Sequence, residues 1–272
     1  MMIILIFAII LLIIYLFLVA PRMVHRAERT AITAHKFYAH RGLFDNEGDA
    51  PENSLAAFRK AVEAGYGMEL DIQLTKDDKL VVFHDATLKR MCGVEGYVWD
   101  YTLEELQQFR LANSEQTIPT FEEVLNVVGG KTPLIVEYKM DRPLTKVCVL
   151  GDELLQNYSG AYCIESFHPF ALMWYKKHRP EVLRGQLSGN LSKETSDKKK
   201  KVIYSLVSYL LTNVLTRPDF IAYDHWYVNN ISRSVCKALG ALSIAYTVKS
   251  EERYEEVKND FDLFIFDSCI LK

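Results

Sequence analysis

The chain has 272 residues, of which 49% are hydrophobic and 25% charged, enough apolar material for a large core. Its formal net charge of −3 argues against a general nucleic-acid binder. Five cysteines (Cys92, Cys148, Cys163, Cys236 and Cys269) are scattered singly with no CxxC pair, which argues against a zinc ribbon and fits a reduced compartment better than a disulfide framework.

Met1 to Ala20 carries no charged side chain and is rich in Ile and Leu. About 20 such residues cross the hydrocarbon layer as a helix. A signal peptide would place basic residues ahead of a shorter apolar run of roughly 7–15. None precedes this run, so it reads as a single-pass transmembrane helix that anchors the chain to membrane lipid. Arg22, Arg26 and Arg29 follow it, and the positive-inside rule then places the remainder in the cytoplasm. Residues 21–36 read as a juxtamembrane linker.

From Phe37 onward, β-rich runs alternate with helical patterns, the signature of a parallel α/β fold. Strands are predicted at Phe37–His40, Gly67–Asp71, Leu80–His84, Leu134–Tyr138, Tyr162–Ser166, Val182–Leu187, Phe220–Tyr223, Ala241–Tyr246 and Leu263–Phe266. A closed TIM (β/α)8 barrel needs eight strands and typically about 250 residues, which residues 37–272 supply. The third run is the extra one. Only a polar turn, Thr75 to Lys79, separates it from Asp71, and a parallel neighbour would need a crossover of a dozen or more residues. Leu80–His84 is therefore expected to be an antiparallel excursion, with residues 72–118 forming a small insertion after strand 2 on the catalytic face. A helix over Ser54–Ala64 has Leu55, Phe58 and Val62 on one face, Asn53 as candidate N-cap and Gly65 as its stop. Thr102 and Thr120 each begin a capping-box pattern. Residues 190–217 form an apolar helical insert, in which the basic run Lys198–Lys201 precedes a stripe at 202, 203, 206, 207, 210, 211, 214 and 215. Two readings stand for it. One is an interfacial helix docking the barrel mouth on anionic lipid. The other is an ordinary barrel helix burying its stripe, with the lysines solvated.

Glu69 and Asp71 lie two apart on one strand and face the same side, the barrel lumen, while Met68, Leu70 and Ile72 face the helix layer. Adjacent carboxylates repel unless a cation sits between them, and a hard divalent ion with oxygen ligands is the simplest such partner. Glu137 and Lys139 repeat the arrangement on the next barrel strand. Glu137 can add a third oxygen ligand and Lys139 positive charge for a phosphate; a purely structural Glu–Lys pair is the alternative. His40 and His84 end strands and can act as base and acid near neutrality. Arg41 offers a planar fork for phosphate oxygens, and Gly42 lets the backbone approach a ligand.

The pieces His40-Arg-Gly42, Pro51-Glu-Asn-Ser54, Glu69-Leu-Asp71 and Phe83-His-Asp85 resemble the core of the glycerophosphodiester phosphodiesterases. The resemblance continues through Ile118-Pro-Thr-Phe-Glu-Glu-Val-Leu125, Val136-Glu-Tyr-Lys139 and Glu165-Ser-Phe167, in an order and spacing that cover most of the chain after the anchor and point to a membrane-anchored, bacterial-type member. It implies a TIM barrel with an insertion after its second strand. It implies one divalent ion, Ca2+ or Mg2+, bound by Glu69, Asp71 and Glu137, and His40 and His84 as the catalytic acid/base pair. It further implies Arg41 and Lys139 on phosphate, with Glu52 and Asn53 supporting that site. The implied reaction hydrolyses small glycerophosphodiesters to glycerol 3-phosphate and an alcohol. Alternatives are a lysophospholipase D acting on lysophospholipids at the membrane and a catalytically silent membrane-tethered binding protein. Two departures, Phe266-Asp-Ser-Cys269 and Tyr246-Thr247, bear on the preferred alcohol rather than on the hydrolytic chemistry.

Overall fold

Side-chain alternation along eight parallel strands decides what lies inside the barrel and what lies outside it. The computed structural model of the chain describes residues 1–22, 28–140, 145–193 and 196–271. Of the residues singled out above, Arg26 lies outside these, as do the side chains of Lys199 and Lys200. The strands are β1 (Phe37–His40), β2 (Gly67–Leu74), β3 (Leu80–Val82), β4 (Leu134–Tyr138), β5 (Tyr162–Ser166), β6 (Arg184–Ser188), β7 (Phe220–Asp224), β8 (Leu242–Val248) and β9 (Leu263–Phe266). Seven of them run β1-β9-β8-β7-β6-β5-β4 in parallel, β2 follows β4, and a further β1–β2 pairing closes the ring of eight. The ninth, β3, pairs antiparallel with β2 through Ile72↔Val82 and Leu74↔Leu80, as the short polar turn requires.

Met68, Leu70, Ile72, Val136 and Tyr138 pack outward into the layer between barrel and helices, whereas Ile135, Cys163, Leu187, Phe220 and Ile265 fill the lumen. That division is the period-2 alternation of each strand. The segment after β3 builds a small core of its own from residues such as Val81, Phe83, Met91, Val98, Leu106 and Ile118. Its short helix Leu103–Leu106 and the barrel helix Phe121–Val128 both start with the expected reciprocal caps, Thr102 with Glu105 and Thr120 with Glu123.

Three details differ from the sequence reading. The N-cap of helix Leu55–Ala64 is Ser54, whose hydroxyl accepts from the Ala57 amide. Asn53 instead adopts φ +57°, which turns its side chain into the barrel mouth. The stretch read as a linker contains a helix, Glu28–Thr33, that plugs the barrel floor. There Ile32 joins the lumen core, and Arg29 donates to the carbonyls of Asp219 and Gly240. Finally, the apolar stripe is interrupted. Helix Lys198–Ser208 ends, Leu210 takes φ +56°, and a short helix Asn213–Thr216 follows. Val207 and Leu210 are buried, but Val202, Ile203, Leu206 and Leu215 are exposed.

The helix Met2–Val19 is long and apolar enough to cross a membrane and is almost wholly exposed. Its last turn is fixed to the barrel. Tyr15 hydrogen-bonds Ser232, Asn213 donates to the Val19 carbonyl, and Arg217 donates to those of Phe17 and Ala20.

Candidate active site

Parallel register brings the charged side chains to one level. His40 is paired with Glu69, Asp71 with Glu137, and Glu137 with Glu165 across β1, β2, β4 and β5. Glu69, Asp71 and Glu137 are buried, and each offers an oxygen within 4.8 Å of the others. Burial, followed by repulsion from Asp71, Glu137 and Glu165, raises Glu69 well above the usual carboxylate range; Glu137 is raised chiefly by burial. Asp71 is also buried, but Lys139, His84 and Arg41 hold it well below that range. Lys139 reaches 3.0 Å from Asp71 and 2.8 Å from Glu137.

The residues present fit a divalent metal. They supply hard oxygen donors from two adjacent strands, and the electrostatic strain among them is the kind a cation relieves. Glu165, fully buried on the next strand, has no hydrogen-bond partner for either oxygen among the described residues. Its carboxyl is likewise pushed up by burial and by Glu137 and Asp71.

The two histidines flank this cluster. His40 Nδ1 lies 2.8 Å from Asp267 Oδ2, leaving Nε2 facing the carboxylates, 4.0 Å from Glu69. Burial lowers its pKa, which favours the neutral ring. His84, more open to solvent, has Nδ1 2.7 Å from Asp85 Oδ1. Each imidazole is thus oriented by a carboxylate on its far nitrogen, which fixes tautomer and ring plane.

Arg41 adopts φ +57°, and its backbone amide donates to Glu69. Its guanidinium is held 2.6 Å from Glu52 and 3.6 Å from Asp71. Gly42 at φ +81° follows, and a Cβ there would meet the backbone of Ala57 at 2.9 Å, so the turn requires glycine. Glu52 also accepts from Arg90 and Asn46. Burial alone would raise its pKa, but the Arg90 and Arg41 guanidiniums hold it at about 2. Asn53 donates to Asp71 at 2.9 Å. All nine residues singled out in the sequence therefore gather at the C-terminal ends of β1 to β4.

Four more belong here. Asp267 stands one residue past β9, which pairs with β1, so the barrel closure delivers it to His40. Asp85 orients His84, and Arg90 joins Asp85 to Glu52. Glu165 completes the carboxylate layer. Alternation along Tyr162–Ser166 was the signal that could have found Glu165; Arg90 comes from a short helix in the inserted segment and left none.

Two connected spaces lie at this mouth. A cavity of about 150 Å³ is bounded by His40, Arg41, Glu69, Glu137, Tyr246 and Thr247. A larger one of about 750 Å³ shares His84, Glu137 and Phe167 with it and has further walls of Phe170, Leu191, Ile203 and Val207.

Residues 40–259 match the glycerophosphoryl diester phosphodiesterase family. A glycerophosphodiester phosphodiesterase of Caldanaerobacter subterraneus is 36% identical over 161 residues, covering 55% of this chain and 65% of the relative. One from Bacillus altitudinis is 32% identical over 54% of this chain and 64% of its own length, so the chain spans somewhat under two thirds of these relatives. A lysophospholipase D of Rattus norvegicus is 31% identical over 47% of this chain and 43% of its own length. Among solved structures, an Oleispira antarctica phosphodiesterase in complex with the product sn-glycerol-3-phosphate superposes with a TM-score of 0.70 at 25% identity, covering 86% of this chain and 93% of that one.

Proposed function

Because the chain belongs to the glycerophosphoryl diester phosphodiesterase family, we propose that it hydrolyses glycerophosphodiesters to glycerol 3-phosphate and an alcohol. The observation that carries this is the trio Glu69, Asp71 and Glu137 within 4.8 Å, flanked by two carboxylate-oriented histidines. These three would hold one divalent ion, Ca2+ or Mg2+, which when bound supplies positive charge for the phosphate oxygens.

Arg41 is already fixed by Glu52, so its remaining N–H groups are aimed without further ordering at a phosphate in the small cavity. Lys139 brings a second cation to the same layer. Together they favour the extra charge that spreads over the equatorial oxygens in the transition state. His40, held neutral with Nε2 free, accepts the proton of the nucleophile, which is water or the substrate's own hydroxyl. His84, on the more open side, donates to the departing alkoxide. Tyr246 and Thr247 border the cavity and shape its alcohol preference.

A second reading, a lysophospholipase D, draws on the apolar wall of the larger cavity, which a single acyl chain would fit. The helix Met2–Val19 is read as a retained single-pass anchor, since Tyr15, Phe17, Val19 and Ala20 bond to the barrel. The test is hydrolysis of glycerophosphocholine and of lysophosphatidylcholine by the full chain in detergent, with and without chelator. Release of glycerol 3-phosphate that chelator abolishes is expected. Full activity in excess chelator refutes the metal-dependent reading, and no turnover of either compound under any metal refutes the enzymatic one.

A further inference from the structure

The apolar helix and the barrel have a fixed mutual direction. Helix Ile231–Ala238 follows β7, so it runs from the catalytic rim down to the barrel floor. Tyr15 bonds to Ser232 near its upper end, and the Val19 carbonyl accepts from Cys236 one turn lower. The Arg22 amide donates to Pro218, just before β7 begins at the floor. The apolar helix therefore also runs from rim to floor, and Met2–Ile14 project beyond the barrel on the catalytic side.

That free portion is apolar from end to end, so lipid is its natural surrounding. Below it the Arg217 guanidinium packs over Phe17 and donates to its carbonyl, which keeps the bilayer boundary on the Met2 side of Phe17. Entry of Met2–Ile14 into a bilayer therefore brings the rim beside them to its interface. The rim is built for that place. Phe170, Val202, Leu206, Tyr209, Trp226 and Ile231 are all exposed apolar or aromatic residues. They follow β5, β6 and β7, and the helix packs against Asn213–Thr216 and Ile231–Ala238, which follow β6 and β7. Lys193, Lys198 and Lys201 are exposed on the same sector. Across the mouth, after β1, the exposed side chains are Asp45, Glu47 and Asp49.

We infer that the catalytic mouth faces the membrane, with the β5–β7 rim and helix Lys198–Ser208 seated in the interface of the bilayer that Met2–Ile14 enter. The acidic β1 side tilts away. The larger cavity, walled by Ile203 and Val207 of that helix, then opens onto the lipid surface.

The experiment uses the full chain in vesicles of phosphatidylcholine and phosphatidylglycerol. Trp226 fluorescence, assigned by difference from W226F, is measured with bromine-labelled acyl chains. A K131W reporter, placed in W226F before β4 on the barrel floor, is the control. Quenching of Trp226 by about twofold, with the floor reporter unquenched, is expected for an interfacial tryptophan. An unquenched Trp226, or stronger quenching of the floor reporter, overturns the orientation; the first outcome together with cross-linked dimers would assign the rim to a second copy. V202E/L206E should cut hydrolysis of vesicle-borne lysophospholipid by about tenfold through lost interfacial seating, with glycerophosphocholine turnover unchanged. This second arm rests on the reaction proposed above, whereas the quenching does not. Undiminished vesicle hydrolysis would remove helix Lys198–Ser208 from the contact.

Discussion

Replacing Glu52 with Gln isolates the ion-pair hub behind the Arg41 guanidinium. In the native site Glu52 is buried and accepts from Arg41 and Arg90 at 2.6 to 2.8 Å. A carboxylate held at about 2 rather than near 4.5 contributes about 3 kcal/mol to folding at neutral pH. Arg90 is 45% exposed, so solvent screening brings the expected figure nearer about 2 kcal/mol. The folded pKa is depressed, so this contribution is complete above the unfolded value and is lost as pH falls through the folded one. Protonated Glu52 and Gln present the same neutral partner to both arginines. The gap between wild type and E52Q should therefore be about 2–3 kcal/mol at neutral pH and close progressively between about pH 5 and pH 2. Denaturant unfolding of the full chain in detergent, followed across that range, measures it; titrations common to both proteins cancel in the difference. A gap that stays constant with pH would show that E52Q acts through shape or packing, and the ion-pair account would fall.

E69Q removes one oxygen donor and one charge from the trio; calorimetric titration with Ca2+ and Mg2+ should show weaker binding, and turnover should be lost. H40A and H84A should each lower kcat by about 10²–10⁴-fold, the usual share of a positioned acid or base, and wild-type turnover in either would remove that residue from the mechanism. D267N keeps the shape but weakens the hold on His40 Nδ1, so kcat should fall with KM nearly unchanged and the acidic limb of the pH profile should move. A change confined to KM would place Asp267 in substrate binding instead.

The barrel was readable because its signals are local. Alternation along Gly67–Leu74 and Leu134–Tyr138 fixes which residues enter the lumen, and five polar residues from Thr75 to Lys79 are too few for anything but a hairpin. Glu69, Asp71 and Glu137 were found because acids on a doubly buried strand conflict with burial unless they serve a purpose. What stayed hidden depends on closure or on free loop geometry. Asp267 reaches His40 only because the last strand returns beside the first, and Arg90 reaches Glu52 across 38 positions of sequence. Asn53 has the residue type of a cap and lies beside one, but Ser54 takes that place and frees the amide for Asp71. The floor helix Glu28–Thr33 is too short for a periodic signal, and only the finished barrel gives Ile32 somewhere to go.

Three arginines, Arg22, Arg26 and Arg29, follow the apolar helix in sequence. In the folded chain Arg22 donates to the carbonyl of Pro180 and Arg29 to those of Asp219 and Gly240, so both hold the barrel floor. Topology, however, is decided while the chain is inserted, before any barrel exists, and at that stage Arg22, Arg26 and Arg29 are simply positive charges just past an apolar run. The expectation is therefore a barrel in the cytoplasm, and the five unpaired cysteines suit that compartment. With the mouth turned to the membrane, the substrate proposed above would then come from the inner face. An alkaline phosphatase fused after Lys272 should be inactive in intact bacterial cells, and a fluorescent protein fused there should mature. Exchanging the three arginines for serine should weaken this bias even under conditions where the barrel floor still folds. An active phosphatase fusion on the unaltered chain would place the barrel outside and reverse the assignment.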